Sequence, residues 1–216
     1  MVLLGIAVIN VLDGAVQPAY PVKSAVKVVL FGVLPAVYDR YVDRELNLKA
    51  LLCLSGGSRG LKEALLWGGG VFAVILGGYL LLGRFFEFSQ ITGNLEQAMG
   101  IDRNNFLFVA LYISFFNSLL EEFFFRGFAC LGLQHYVSRK TAWLFSSLTF
   151  ALYHVAMMWV AFEPPLVMVC LAGLMIGGCI FNFFNEKYGN LYISWLIHMG
   201  ANFAINGIAM HLFELF

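Results

Sequence analysis

Two adjacent carboxylates and a guanidinium stand inside an apolar stretch of this sequence. Glu121 and Glu122 follow a run of apolar side chains, and Arg126 comes four residues after Glu122. A charged side chain at membrane depth costs about 3 kcal/mol or more, so such residues are rare and usually functional. Residues four apart lie on one face of a helix, so Glu122 and Arg126 can form an ion pair. The spacing therefore predicts a structural pair beside a second acid.

That second acid, Glu121, points in another direction. On a helix of about 3.6 residues per turn it lies about 100° away from Glu122. Its lone pairs are therefore left for other partners, and Asn117, one turn earlier, can hold its carboxylate. A polar face of this length must line a cavity instead of lipid. The face consists of Ser114, Asn117, Ser118, Glu121 and Glu122.

Two further apolar segments carry polar side chains. His154 lies in one, and the other has a ladder of Ser194, His198, Asn202 and Asn206, each four residues apart. A ladder of this kind can serve hydrogen bonding between helices. A lone histidine can likewise be a satisfied core residue. The two histidines and the amides of the ladder lie in different spans from the two glutamates but at a comparable depth. This agreement favours a chemical role over a purely structural one.

Together these groups have the chemistry to activate water. Glu121, assisted by His154, can take a proton from water. His198 and Asn202 can donate hydrogen bonds to the oxyanion that forms on a scissile carbonyl. The apolar segments offer no convincing Ser or Cys nucleophile paired with a base. We therefore predict hydrolysis by an activated water molecule. The four cysteines form no CxxC pair and so indicate no zinc site, and we expect no cofactor.

The composition places these segments in a membrane. Hydrophobic residues make up 61% of the chain and charged residues 12%, against about 25% charged in soluble domains. A bilayer is the solvent that tolerates this composition, and membrane lipid is therefore an expected partner. The formal net charge is zero, so no basic field indicates nucleic acid as a partner. We predict one transmembrane domain over residues 1–216.

The elements that must position these groups are helices, because only helices and closed barrels span a bilayer. The sequence predicts an all-α polytopic bundle of about seven spans, within a range of about six to eight. The first span is the weakest. The apolar runs cover residues 1–17, 22–37, 63–82, 105–128, 141–160, 166–184 and 191–212.

Charge placement predicts a cytoplasmic N-terminus. With alternating spans, nine basic residues fall on the cytoplasmic side and four on the other. This bias agrees with the positive-inside rule. The four are Lys23, Lys27, Arg84 and Arg103.

The oligomeric state stays open. Gly173-x-x-x-Gly177 permits close helix packing, equally within one chain or between two chains.

Three ordered motifs resemble those of a known family. They are Glu121-Glu122-Phe-Phe-Phe-Arg126, Phe150-Ala-Leu-Tyr-His154 and His198-Met-Gly-Ala-Asn202. They match the E-E-x-x-x-R, F-x-x-x-H and H-x-x-x-N motifs of the CAAX prenyl protease and bacteriocin-processing (Abi) family of glutamic intramembrane peptidases. The resemblance covers about residues 105–210, which we predict to be the catalytic core.

The resemblance implies metal-independent hydrolysis in an all-α bundle with a cytoplasm-facing intramembrane cavity. By this resemblance Glu121 is the catalytic base with His154 as its partner, and His198 and Asn202 form the oxyanion hole. Glu122 and Arg126 support the site. The expected substrate is a membrane-anchored peptide, such as a prenylated CAAX-type peptide, or a hydrophobic one. A chain this short is typical of small prokaryotic members, which implies a prokaryotic cell membrane.

Three alternatives stay open at this point. Glu121, His154 and His198 could supply three ligands of a catalytic zinc, although HExxH is absent. The same fold could act without catalysis, as a membrane scaffold or a bacteriocin-immunity protein. A proton-coupled transporter fits less well, because the acids cluster near one face instead of threading the membrane.

Overall fold

The structure, a computed structural model, describes residues 1–53, 55–88 and 91–215. Within these ranges the protein is helical and contains no strand. Apart from a short 3₁₀ helix at Leu48–Leu52, eight helices follow one another in the described ranges: α1 Val2–Val16, α2 Tyr20–Tyr41, α3 Gly57–Phe85, α4 Ile91–Met99, α5 Phe106–Gly132, α6 Arg139–Ala161, α7 Pro164–Tyr188 and α8 Leu191–Leu212. The predicted all-α membrane fold is confirmed.

Five of these helices, α2, α3, α5, α6 and α7, are long and apolar enough to cross a membrane. α1 is apolar but shorter, below the roughly 20 residues of a full span, as its weak sequence pattern indicates. α8 has 22 residues, and its ladder of polar side chains dilutes its apolar character. Seven of the eight helices, all except α4, coincide with the predicted apolar runs, and about six to eight spans remain plausible.

Aromatic side chains join the helices around the interior. Phe31 of α2 stacks on Phe124 of α5, with ring centres 4.1 Å apart. Phe125 of α5 meets the ring of Phe150 of α6 edge to face at 5.3 Å, and Phe150 contacts Phe181 of α7 at 6.2 Å. These rings are buried. They fix α2, α5, α6 and α7 relative to one another and surround the acid motif of α5.

Helix α5 is not a regular α-helix throughout. It widens into π-helical turns at Ile113–Asn117 and again over Glu122–Gly132. Between them Ser118–Glu121 forms one α-helical turn. Wide turns inside a helix occur frequently at functional sites. The two acids therefore lie at the junction between an α-helical turn and a π-helical segment.

Helix α6 breaks at His154. The backbone N–H of His154 donates to the carbonyl of Ala151 at 3.1 Å, which is the shorter, 3₁₀-type pairing. The carbonyl of Phe150 therefore loses the partner that a regular helix gives it four residues on. The side chain of His154 takes that place, with Nδ1 2.8 Å from the Phe150 oxygen. This break fixes the histidine ring on its own helix.

The loops at one end of the bundle are tied together. Ser55, just before α3, donates to the backbone oxygen of Tyr188 at 2.7 Å. Asn190 donates to the backbone of Ser55 at 3.0 Å. Tyr136, between α5 and α6, donates its hydroxyl to Asp43, and this bond raises the pKa of Tyr136 to about 12. The loops after α2, α5 and α7 therefore meet at the same end.

Helices α3 and α8 approach closely at a pair of glycines. A Cβ placed on Gly200 would lie 2.8 Å from the carbonyl carbon and 2.9 Å from the Cα of Gly68. Backbone atoms cannot rotate away as a flexible side chain can. Small residues permit this close approach of two helices in a membrane. Gly200 lies between His198 and Asn202, so this contact sets the depth of the third motif.

Replacing Gly200 with alanine is expected to push α3 away from α8. Overpacking of this kind costs about 1–3 kcal/mol, so the thermal melting temperature in detergent should fall. The matched control is Gly207→Ala on the same helix, where an added Cβ meets no atom within 4 Å. The control should be neutral or slightly stabilising, because alanine favours a helix over glycine by about 1 kcal/mol. Equal melting of the two variants would contradict the packing argument.

Candidate active site

Glu121 is held from two sides at one of its oxygens. Oε1 accepts from the amide Nδ2 of Asn117 at 2.5 Å and from the hydroxyl of Tyr153 at 2.8 Å. The contact with Asn117 is the one that the sequence predicts. The second oxygen, Oε2, lies 3.8 Å from Nε2 of His198. The residue is 2% exposed, and both of these hydrogen bonds are made to Oε1 and not to Oε2.

Glu122 anchors the imidazole of His198. Its Oε1 lies 3.0 Å from Nδ1 of that ring, and the residue is fully buried. The ring of His198 also stacks on Phe181, with centres 4.9 Å apart and planes 19° from parallel. His198 therefore sits between the two carboxylates, with one nitrogen toward each.

Arg126 pairs with Glu122, as the spacing predicts. Nε of Arg126 lies 3.4 Å from Oε2 of Glu122, and neither side chain is exposed. The guanidinium also lies 4.2 Å from the ring centre of Phe150 and 5.0 Å from that of Phe181. A cation over an aromatic face gains electrostatic attraction when it is removed from water. The ion pair and the two rings together hold the charge inside the bundle.

His154 is oriented by its own helix. Because Nδ1 lies against the Phe150 oxygen, this nitrogen carries the proton in the neutral ring, and Nε2 has the free lone pair. Among the described residues no hydrogen bond joins His154 to Glu121. The ring packs edge-on to Tyr153 at 4.4 Å, the residue that binds Glu121.

Asn202 stands apart from the other predicted site residues. Its amide donates to the backbone oxygen of Ile113 at 3.4 Å. One turn on, Asn206 donates to the backbone oxygen of Ala110 and to the hydroxyl of Ser114. These hydrogen bonds from Asn202 and Asn206 join α8 to α5. In the described part of the chain, Asn202 makes no hydrogen bond to Glu121, His154 or His198.

A lysine from α2 enters the site. Lys27 is 8% exposed, and its Nζ donates to Oδ1 of Asn117 at 3.1 Å. It also lies 4.9 Å from the ring centre of Tyr153. Its neighbour Lys23, one turn earlier, pairs with Asp13 of α1 in a second buried contact. The charge count places both lysines at the non-cytoplasmic end, whereas the structure buries them between helices.

Sequence reasoning misses two residues of this site, Lys27 and Tyr153. An ionisable residue inside an apolar run is by default a functional candidate, and Lys27 meets that description within the predicted run 22–37. The positive-inside count treats it as a flanking charge instead. Tyr153 precedes His154 in the second motif, but a tyrosine in an apolar helix gives no separate signal.

The site is closely packed and holds no recognisable metal cluster. Glu121 is 2% and Glu122 0% exposed, so the expected cavity is closed around the two carboxylates. Over residues 1–53, 55–88 and 91–215, no group of three His, Cys, Asp or Glu side chains is arranged to hold a metal ion. A substrate reaches these carboxylates only when surrounding groups move.

These features define a multi-pass integral membrane protein whose ionisable side chains converge between helices. A family model described as type II CAAX prenyl endopeptidase Rce1-like matches residues 103–204, the segment that carries all three motifs. Over this segment, a little under half of the chain, the match supports a membrane-embedded protease of the CAAX type. No curated protein and no solved structure matches the chain.

Proposed function

We propose that the protein is a glutamic-type intramembrane endopeptidase in which Glu121 activates water. The observation that carries the proposal is the asymmetry of the Glu121 carboxylate. Asn117 and Tyr153 occupy Oε1, whereas Oε2 faces Nε2 of His198 at 3.8 Å. Two atoms at this separation can both contact one water oxygen at about 2.8 Å. A water there lies within reach of a general base.

In the proposed step, the water oxygen attacks the scissile carbonyl carbon and its proton passes to Oε2 of Glu121. The carbonyl π electrons move onto oxygen, which becomes the oxyanion of a tetrahedral intermediate. When the intermediate collapses, the C–N bond breaks and the proton held by Glu121 reaches the leaving amine nitrogen. Nε2 of His154, the nitrogen with the free lone pair, assists the proton transfer.

We assign the oxyanion hole to His198 and Asn202. For Nε2 of His198 to donate while Nδ1 donates to Glu122, the ring must carry both protons. Asn202 is one helical turn away, and its present bond to Ile113 is 3.4 Å long, near the limit of a hydrogen bond. Releasing so long a bond costs little. The amide is therefore free to turn toward a developing oxyanion.

Glu122 and Arg126 have supporting roles in this proposal. Glu122 holds Nδ1 of His198 at 3.0 Å, which fixes the orientation of the ring. Arg126 keeps the charge of Glu122 compensated inside the bundle. Neither residue is required to touch the substrate.

We further propose that residues 105–210 form the catalytic core within one transmembrane domain over 1–216. The substrate is a membrane-anchored peptide, of the prenylated CAAX type or a hydrophobic one. It reaches the site from the cytoplasmic half of a prokaryotic membrane, with the N-terminus of the enzyme also cytoplasmic.

The test is a cleavage assay in proteoliposomes with products mapped by mass spectrometry. The probes are a farnesylated peptide that ends in a CAAX sequence, the same peptide without farnesyl, and a hydrophobic helical peptide. We expect internal cleavage of at least one probe. Cleavage of the farnesylated peptide alone would identify prenylation as a requirement, and cleavage of none would contradict the proposal.

Metal independence is tested in the same assay. Because the proposed water activation uses only side chains, rates should stay within about twofold of the untreated enzyme after EDTA or 1,10-phenanthroline, as expected for general acid–base catalysis. Loss of cleavage on chelation that zinc restores would favour the metallopeptidase alternative, with Glu121, His154 and His198 as ligands.

A role without catalysis is separated by complementation. A Glu121→Ala variant that still restores the phenotype of a strain lacking the protein would favour a scaffold or bacteriocin-immunity protein. We expect that variant to fail.

A further inference from the structure

Lys27 takes no part in the reaction described above, yet its position is unusual. It lies in α2, outside the segment 103–204 that carries the family motifs. It is 8% exposed inside a membrane-spanning helix. A buried ammonium without partners is strongly unfavourable, so its contacts must compensate for the lost water.

Those contacts lead to Glu121. Lys27 donates to Oδ1 of Asn117 at 3.1 Å and lies over the ring of Tyr153 at 4.9 Å. Asn117 and Tyr153 are the two residues that donate to Oε1 of Glu121. One cation thus touches both of the groups that hold the proposed base.

The lysine also determines which way the Asn117 amide points. An ammonium group has donors and no acceptor, so Asn117 must present its carbonyl oxygen to Lys27. The NH₂ group of the amide then faces Oε1 of Glu121, 2.5 Å away. Without Lys27 the amide could turn over and place its oxygen against the carboxylate, where two acceptors would repel each other.

Charge pairing in the interior points the same way. Asp13 has Lys23 as its partner, and Glu122 has Arg126. Lys27 is then the remaining buried lysine, and it lies against the two residues that hold Glu121, the acid for which the sequence offers no local cation. Its charge interacts with that of Glu121.

We infer that Lys27 is a positioning residue of the active site. Through Asn117 it keeps Glu121 turned so that Oε1 is occupied and Oε2 meets the water. The inference rests on the proposed role of Glu121 as general base. Lys27 itself touches neither the substrate nor the water.

The first test is Lys27→Met, assayed in proteoliposomes with the peptide probe that the wild-type enzyme cleaves. A misplaced base slows the chemical step, so kcat should fall about 10- to 100-fold while KM stays within about twofold. Lys27→Arg keeps a cation and its donors, and should retain at least about tenfold more activity than Lys27→Met. The matched control is Lys23→Met, which removes a buried lysine one turn away that contacts Asp13 and not Asn117.

A double-mutant cycle with Asn117→Ala separates positioning from a merely structural role. If Lys27 acts through Asn117, Lys27→Met should lower kcat much less in the Asn117→Ala background than in the wild type. The fold-loss of kcat should be at least about five times smaller in that background. Equal losses in the two backgrounds, or wild-type kcat for Lys27→Met, would overturn the inference. If the methionine variant does not fold, as judged by its melting temperature, Lys27→Gln enters the same cycle, because it keeps a donor for Asn117 without the charge.

The outcomes for Lys27 and for the proposed function remain distinct. Cleavage at the wild-type rate by Glu121→Gln would contradict both the proposed function and the inference about Lys27. An inactive Glu121→Gln beside a fully active Lys27→Met would remove the inference alone.

Discussion

Replacing Glu121 with glutamine is expected to lower kcat about 10²- to 10⁴-fold, the contribution typical of a positioned general base. Glutamine keeps an oxygen that accepts from Asn117 and Tyr153, so both donors stay satisfied. Its NH₂ group then occupies the place of Oε2 and cannot take a proton from water. The measurement is steady-state cleavage in proteoliposomes, with the melting temperature taken in parallel.

The glutamine variant is more informative than alanine at this position. Alanine would leave the amide of Asn117 and the hydroxyl of Tyr153 buried without an acceptor, and each orphaned group costs about 1–3 kcal/mol. A loss of activity would then be confounded with a loss of stability. Glutamine removes the charge and the basicity while it preserves the shape.

The matched control is Glu163→Gln. Glu163 is exposed before α7 and its side chain makes no capping hydrogen bond, so this variant removes one carboxylate outside the site. It should cleave at the wild-type rate. A Glu121→Gln variant that also cleaves at the wild-type rate would show that another group activates the water.

The spans and the side-chain contacts within α5 can be predicted from the sequence, because they depend on residues that are close together along the chain. Apolar length predicts the helices, and helical spacing predicts the Glu122–Arg126 pair and the contact between Asn117 and Glu121. Both contacts are between residues four apart. Local periodicity is sufficient for such pairs.

Contacts across the bundle could not be read in the same way. Lys27 and Asn117 are 90 residues apart, and His198 and Glu122 are 76 apart. Helical phase gives the face on which a side chain lies but not the partner that packs against it. The sequence therefore indicates that His198 belongs to the site, whereas its direct contact with Glu122 requires the packing of α8 on α5.

The break at His154 depends on a competition within one helix. Its Nδ1 takes the Phe150 oxygen that a regular helix would give to a backbone N–H. The residue pattern of α6 has no glycine or proline at this point, and these residues are the usual signals of a break. The motif spacing therefore predicts which residue matters but not the backbone geometry that orients its ring.

Removing Arg126 should have the largest effect on stability. In Arg126→Met, Glu122 stays fully buried but loses the guanidinium, and only the imidazole of His198 remains beside it. Breaking one side of a buried ion pair costs about 3–5 kcal/mol. Glu122→Gln should destabilise by a comparable amount, because it leaves the guanidinium uncompensated between Phe150 and Phe181. Both are measured by chemical or thermal unfolding in detergent.

The exposed pair of Arg139 and Glu186 provides the control. Nε of Arg139 lies 2.9 Å from Glu186, but its side chain is 61% exposed. Surface pairs contribute about 0–1 kcal/mol, so Arg139→Met should change the unfolding free energy by less than about 1 kcal/mol. The comparison of the two arginine variants tests the effect of burial on stability, because the exposed pair has a shorter Nε–O distance than the buried pair.

The double variant Glu122→Gln/Arg126→Met distinguishes the two ways in which Arg126 can be held. If the ion pair dominates, removing both charges leaves no uncompensated group, and methionine packs well against aromatic rings. The double variant should then be more stable than either single variant, a strongly non-additive result. If the contacts with Phe150 and Phe181 dominate, Glu122→Gln alone should lower the stability little. The double variant should then melt at the same temperature as Arg126→Met. We expect the first result, because both groups are 0% exposed with Nε and Oε2 3.4 Å apart, and among the described residues the guanidinium has no hydrogen bond that would hold it without Glu122.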